Sequence, residues 1–291
     1  MLSEAEAPSR FRLAMSSRPL FIDGIALWSP QLPSWELAAP ALRGESPPTT
    51  AASAASRPHA ALLSANERRR APDAVLLALE VAAAACADSG HAPATLASVF
   101  SSAHGDLPTT DAMCRTLAAD PLLLSPTRFH HSVHNAASGY WAITSGSHAA
   151  STALSAHEDS FAAAWLEAAS QCQLEQQPLL LVAYDTAAVG TLASVSSSRG
   201  LLALALVLSP QQGARSRFKV GWSVHPAAEL PTPLRSPAAL ALSANAMAPG
   251  LVLFEALAAA APTAVVALRL SAGAASLQLR LSPLHQASGD M

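Results

Sequence analysis

Three histidines, His130, His131 and His134, form the densest group of chemically versatile side chains in the sequence. Ser138 follows them and Asp106 precedes them, so a Ser-His-Asp arrangement for acyl transfer has to be considered. In an extended strand, His130 and His134 would share one face, from which they could ligate a metal, and His131 would lie on the other. No carboxylate lies nearby at a spacing that would complete a metal site. We therefore interpret these histidines as structural and predict no metal.

The segment 128–149 has the pattern of a strand that breaks sharply into a helix. Phe129 and Val133 belong to an alternation that favours a strand, and Asn135 ends it. The small residues of Ala136–Gly139 allow a tight turn into an apolar helix. Enzymes often present a nucleophile at such a turn, because a helix N-terminus carries partial positive charge and free N–H groups. Here the residue at that position is alanine.

Other candidate nucleophiles have weaker support. Ser138 lies two residues beyond the turn and lacks the GxSxG context that would expose its hydroxyl. The run His104-Gly105-Asp106 is interpreted as a turn after a strand, and Cys114 has no histidine paired with it along the sequence. One alternative stays open: an acyl hydrolase or acyltransferase whose unrecognised site uses Ser138, Cys114 or a histidine.

The segment Ala136–Ile143 resembles the nucleophile elbow of β-ketoacyl synthases, in which a reactive cysteine precedes a small residue, Ser or Thr, Gly and then Ile. Ala136 occupies the cysteine position in this match. Further resemblance lies in the helix and core strand of 151–185 and in the strand Leu201–Leu208. The likeness covers about Phe21 to Pro210. It is strongest to the ketosynthase-like N-terminal domain proteins of aryl polyene and type II polyketide systems.

The resemblance implies a thiolase-like layered α/β fold with one complete N-terminal half and a reduced C-terminal remnant. It also implies a chain-length-factor-like subunit without catalytic residues or cofactors, which forms a heterodimer with an active β-ketoacyl synthase and meets an acyl carrier protein through that partner. A homodimer without such a partner is a weaker alternative. Ser138, Tyr140 and Trp141 become candidates for lining the substrate tunnel. The strand before the elbow becomes the expected dimer interface; its residues are Phe129, His130, His131, Ser132, Val133 and His134.

The composition is that of a folded chain with a large core. Of 291 residues, 51% are hydrophobic and 13% charged, and the net charge is −3. Nucleic-acid binding by a basic face is therefore not expected. Three widely spaced cysteines argue against a disulfide framework and favour the reducing cytoplasm. We find no apolar run of about 20 residues that would span a bilayer and no signal peptide at the N-terminus.

The basic run Arg68-Arg69-Arg70 allows two interpretations. It is either a solvated part of a helix, which we favour, or a contact for phosphopantetheine or an acidic carrier protein.

Sequence patterns predict alternating strands and helices, with residues 1–18 as a disordered tail, 19–210 as the ketosynthase-like domain and 211–291 as a C-terminal extension packed on it. Most of segment 30–58 is predicted to be loop, with a short helix near Trp35. The predicted strands are 20–27, 97–103, 129–134, 179–185, 201–208, 218–224, 263–270 and 276–281. The predicted helices follow Pro72 and start near residues 109, 136, 157 and 251.

Overall fold

The structure, a computed structural model, describes residues 18–45, 57–196, 198–226 and 230–284, and the predicted N-terminal tail lies outside them except for Arg18. The strands are β1 (Leu20–Trp28), β2 (Ala97–Ser101), β3 (Ser151–Leu154), β4 (Leu179–Asp185), β5 (Leu202–Ser209), β6 (Phe218–Pro226), β7 (Ala264–Leu270) and β8 (Ala275–Pro283). The helices are α1 (Trp35–Leu42), α2 (Ala65–Arg70), α3 (Asp73–Ser89), α4 (Leu107–Ala119), α5 (Pro126–Ser132), α6 (Ala136–Ser145), α7 (Ser160–Glu175), α8 (Pro237–Ala241) and α9 (Leu251–Ala259).

All eight of these strands join one sheet in the order β3-β2-β4-β5-β1-β6-β8-β7. Strands β2, β3 and β4 are parallel, and the other neighbours are antiparallel. Parallel strands need a crossover, which is supplied by α6 between β2 and β3 and by α7 between β3 and β4. The loops that follow β2, β3 and β4 consequently meet at the same edge of the sheet.

Helices cover both faces of the sheet, and the central strands show why. On β4, Leu181 and Ala183 face the cluster that includes α1, α7 and α9, whereas Leu180 and Val182 face the cluster around α3 and α6. Since both faces are buried, β4 is apolar at almost every position, as predicted for a central strand. The strands β4 and β5 and the adjoining helices therefore form the core of a three-layer α/β arrangement.

Close packing of α3 on β1 depends on a glycine. A Cβ atom on Gly24 would lie 2.2 Å from the backbone oxygen of Ala85 on α3 and 2.8 Å from the Cβ of Ser89. The helix then ends at Gly90, whose left-handed backbone conformation has a φ of 75°. The predicted helix end at Ser89-Gly90 is confirmed.

The C-terminal extension continues the same sheet through β6, which pairs with the start of β1. Asp23, at an irregularity in the pairing of β1 with β5, is buried and accepts hydrogen bonds from Ser216 Oγ (2.6 Å) and Ser209 Oγ. His91 Nε2 lies 3.0 Å from the same carboxylate. These contacts hold the segment just before β6 against β1. The division of the chain at residue 210 stays a prediction.

Two predictions around the elbow are wrong. The segment Phe129–His134 is not a strand: α5 covers Pro126–Ser132, because Pro126 begins the helix and the Ser125 side chain accepts from Arg128 N. His130 and His134 therefore do not share a strand face. Segment 151–155, predicted to be a Ser-rich link, contains β3, which forms by pairing with β2. The predicted hairpin of β7 and β8 is confirmed.

None of the helices in the described ranges has the length and hydropathy required to cross a bilayer.

Candidate functional site

The elbow consists of the end of α5, a short link and the first turn of α6. Ala136 is the first residue of α6, is 8% exposed, and donates its N–H to the carbonyl of Val133 (3.0 Å). Asn135 precedes the helix without a side-chain cap, and the Ser138 hydroxyl donates to the Asn135 carbonyl (2.9 Å). The first residue of α6 thus carries only a methyl group, and the hydroxyl of Ser138 is engaged with the backbone.

The histidines near the elbow are tied to other groups. His131 is buried, and its Nε2 lies 2.9 Å from the Tyr140 hydroxyl. Burial lowers the pKa of His131, and neighbouring His130 lowers it further, so the ring is neutral at pH 7. His134 Nε2 donates to the Ser102 carbonyl (2.9 Å). Since Ser102 opens the loop after β2, this bond joins the elbow to the carboxyl end of the sheet.

Asp185 ends β4 directly behind that loop and is 1% exposed. Its carboxylate accepts from the backbone N–H groups of Ala103 and Thr186 (2.9 Å each) and from Ser102 Oγ (3.4 Å). Burial raises the pKa of Asp185 to about 6, although these hydrogen bonds act in the opposite direction. Sequence patterns identified the acidic end of this strand, but the protonation behaviour depends on burial by distant segments.

Replacing Asp185 by asparagine is expected to remove a pH dependence of stability. The folded-state pKa lies above the unfolded one, so the stabilising contribution is complete below about pH 4 and is lost as the pH rises through about 6. The difference of about two pKa units corresponds to about 3 kcal/mol. Urea denaturation of both proteins from about pH 4 to pH 7.5 measures this effect. If the free energy of unfolding depends on pH in the same way for wild type and for the Asp185→Asn variant, the expected effect of Asp185 is contradicted.

The candidate nucleophiles of the hydrolase alternative do not assemble into a site. Cys114, the cysteine named for that alternative, is exposed on α4. The other two cysteines, Cys86 and Cys172, are buried, and burial raises the pKa of each to about 12. Asp106 caps α4 by accepting from Thr109 N (2.6 Å). Within the described ranges, no three His, Cys, Asp or Glu side chains converge as they would around a metal ion.

A family model described as the N-terminal domain of β-ketoacyl synthases matches residues 43–247. The chain belongs to this family. The predicted resemblance is therefore confirmed. The assignment of Ala136 to the position of the ketosynthase nucleophile stays a prediction. No curated protein sequence matches the chain.

Solved structures of ketosynthases share the fold. A ketosynthase (ApeO) in complex with its chain length factor (ApeC) from Xenorhabdus doucetiae is 22% identical, with a TM-score of 0.66 over 91% of this chain and 100% of that one. The ishigamide ketosynthase/chain length factor is 14% identical, with a TM-score of 0.64 over 92% and 100% of the two chains. The type II polyketide complex AntDE:AntF is 12% identical, with a TM-score of 0.67 over 92% and 99%. The predicted thiolase-like ketosynthase fold is confirmed.

The tunnel candidates of this ketosynthase-like domain have different surroundings. Trp141 is 1% exposed and packs in the core cluster of α3, where its indole nitrogen has no hydrogen-bond partner among the described residues. Tyr140 is half-buried against His131, and Ser138 is buried at the first turn of α6. The role of all three in a tunnel stays a prediction.

The basic run lies at the end of α2. Arg68 donates to the Leu63 carbonyl (3.2 Å) and its guanidinium lies 2.8 Å from His59 Nε2. Arg69 and Arg70 are exposed in the last turn, where positive charge complements the helix dipole. A solvated helix end accounts for these positions, and a carrier-protein contact stays a prediction.

Two surface features next to the elbow were missed or misplaced by the sequence analysis. One is the outer edge of β3, which ends the sheet. The other is a set of exposed apolar side chains on α4, α5 and the segments after them, which we call the apolar arm. Its members are Leu117, Leu122, Leu123, Phe129 and Val133.

Proposed function

We propose that this chain is a non-catalytic, chain-length-factor-type subunit that pairs with an active β-ketoacyl synthase. The observation that carries the proposal is Ala136 at the first residue of α6 in a member of the ketosynthase family. Two of the similar structures are described as a ketosynthase with its chain length factor, which supports a paired role. In this role the chain helps to set the length of a fatty-acid-like or aryl polyene product.

The chemistry of condensation explains why the chain needs a partner. Decarboxylative condensation uses a thiolate to hold the growing acyl chain and histidines to assist loss of CO2 and stabilise the developing negative charge. A methyl group forms no thioester. His131 and His134 are engaged by Tyr140 and by the Ser102 carbonyl. In the described part of the extension, His225 Nε2 lies 2.8 Å from Ser223 Oγ on its own strand.

The edge of β3 supplies the backbone groups for pairing. Ser98 N donates to the Ala150 carbonyl (3.0 Å), so Ala150 and Thr152 direct their backbone groups toward β2. Ser151 and Ala153 consequently direct theirs away from the sheet, where a strand of a second subunit could add. This edge replaces the segment Phe129–His134 as the proposed pairing strand, since that segment is largely helical.

The apolar arm is a second proposed part of the interface with the partner. Leu122 is 93% exposed and Leu123 72% exposed, which is unusual for leucine unless a partner covers it. Phe129 and Val133, two of the residues first assigned to the interface, belong to the arm. They therefore keep a proposed contact with the partner, although as part of a helical surface.

The chain is further proposed to be located in the cytoplasm. The three cysteines are free thiols, which fits the reducing cytoplasm. The acyl carrier protein is proposed to dock on the ketosynthase partner. Tyr140 and Ser138, near the elbow, are proposed to face the end of the tunnel in the complex.

The pairing is tested by co-expressing the tagged full chain with the ketosynthase encoded nearest to it in its genome. Size-exclusion chromatography with light scattering is expected to show an equimolar complex of the two chains. Elution of this chain alone, or as a homodimer beside an unbound ketosynthase, would refute the proposal.

Replacing Ala136 by cysteine is expected to leave the isolated chain without condensing activity. A thiol at this position restores the nucleophile, but the nearby imidazoles remain bound to Tyr140 and to Ser102. The measurement is release of CO2 from a malonyl-loaded carrier protein, with the wild-type chain as blank and an active ketosynthase as positive control. Turnover by the A136C variant alone would show that the chain contains a complete set of assisting groups.

A further inference from the structure

A cavity of about 400 Å³ lies between the loops that follow β2, β3 and β4 and the C-terminal extension. The carboxyl ends of parallel strands are a common place for ligand sites, and this volume lies within the range of small-molecule pockets. Its floor is apolar and buried; the residues that form it are Ala162, Ala248, Val252 and Leu268. No residue of α6 lines the cavity.

Two histidine rings with unused hydrogen-bonding capacity line this cavity. His104 and His157 meet edge to face, with ring centroids 5.2 Å apart. Neither ring forms a hydrogen bond to any residue that the structure describes. A mostly apolar cavity with a few polar groups at one end is the usual arrangement of a binding site for a small amphipathic molecule.

The backbone holds His157 in an unfavourable conformation. Its φ is 54°, which non-glycine residues rarely adopt. Ser160 Oγ fixes the turn by donating to the His157 carbonyl (2.6 Å) and accepting from Ala156 N (2.9 Å). Backbone strain that is maintained in this way often accompanies a functional position. Here it places an imidazole at the cavity.

The charges around the cavity disfavour an anionic ligand. Arg269 is neutralised by Asp159 (2.6 Å) and Glu158 (2.5 Å), so the local carboxylates outnumber the one guanidinium. Burial lowers the pKa of His104, and the nearby His157 and His134 lower it further, so its ring is neutral at pH 7. A neutral imidazole can donate one hydrogen bond and accept another.

We infer that this cavity binds a small, neutral, mostly apolar molecule whose carbonyl or hydroxyl oxygen meets His104 and His157. The binding is reversible and involves no covalent step. The inference rests on the cavity alone and holds whether or not the chain pairs with a ketosynthase.

The test uses two probes with the same heptyl tail, nonan-2-one and octanoate. They are titrated into the full chain at about pH 7.5, where octanoate is ionised, and binding is followed by NMR of histidine labelled with carbon-13 at Cε1. Nonan-2-one is expected to shift the His104 and His157 signals with a Kd on the order of 1 mM or below. Octanoate is expected to bind at least about tenfold more weakly.

Matched variants locate the binding. Ala246→Phe fills the cavity from its partly buried wall and is expected to abolish binding, whereas Ala241→Phe, on the exposed side of α8, is expected to bind like wild type. His157→Gly relieves the positive φ and removes one ring, so it is expected to fold and to weaken nonan-2-one binding at least about fivefold. Equal affinity for the two probes, no binding of nonan-2-one, or unchanged binding in both A246F and H157G would overturn the inference.

Discussion

Replacing Ala153 by proline is expected to weaken the pairing of this chain with its ketosynthase by at least about 100-fold in Kd, equivalent to about 3 kcal/mol. Proline removes the N–H that Ala153 directs away from the sheet, and its ring blocks the approach of a second strand. The bond from Ser98 N to the Ala150 carbonyl is untouched, so the fold is expected to persist. Titration of the labelled ketosynthase with each variant measures the change.

Ala153→Val is the matched control because it keeps the N–H and suits a strand. It is expected to pair within about threefold of wild type. If A153P folds and pairs as tightly as A153V, the edge of β3 is not the pairing strand, and the apolar arm alone has to account for any complex. A Tm for A153P close to that of wild type shows that the fold is intact.

Replacing Gly24 by alanine is expected to lower the free energy of unfolding by about 3 kcal/mol or more. The added methyl group would lie 2.2 Å from the backbone oxygen of Ala85, so α3 would have to move away from β1. The helix α3 packs against β1, β4 and β5 in one buried cluster. A movement of α3 would therefore disturb side-chain packing across that face of the sheet. Urea denaturation measures the loss.

Gly221→Ala is the control for this effect. Gly221 also lies within a strand, on β6, but an added Cβ there meets nothing within 4 Å. This substitution is expected to change stability by no more than about 0.5 kcal/mol, and in the stabilising direction, since it reduces the entropy of the unfolded chain. Similar losses for the two variants would show that strand glycine itself, rather than contact with α3, determines the cost.

Elements that bury both faces were the ones that the sequence predicted well. The run Leu179–Asp185 is apolar throughout because helices cover both sides of β4. The end of α3 was predicted because Gly90 supplies a left-handed conformation. Such signals are local and do not depend on which distant segment provides the contact.

The errors arose where a local pattern was ambiguous or where pairing decided the structure. The alternation of Phe129, His131 and Val133 indicated a strand, although Ser125-Pro126 just before it is a helix start that could have been recognised. β3 has only four residues and two of its side chains are small and polar. It forms because Ser98–Ser101 on β2 lies beside it.

Sequence patterns point to a candidate site only where one segment defines it. Ala136 is assigned to the nucleophile position from the elbow motif alone, and this assignment stays a prediction. In contrast, the cavity joins His104 and His157 to residues of the C-terminal extension, and the pKa of Asp185 depends on burial by several segments. No pattern along the chain brings these groups together.

The central claim, that this subunit carries no acyl chain itself, is tested most directly by intact-protein mass spectrometry of the reconstituted complex. This chain and its ketosynthase are mixed with a carrier protein that bears an acyl thioester, and the reaction is stopped before turnover is complete. The account predicts an acyl adduct on the ketosynthase and an unchanged mass for this chain. A stoichiometric acyl adduct on this chain would contradict it.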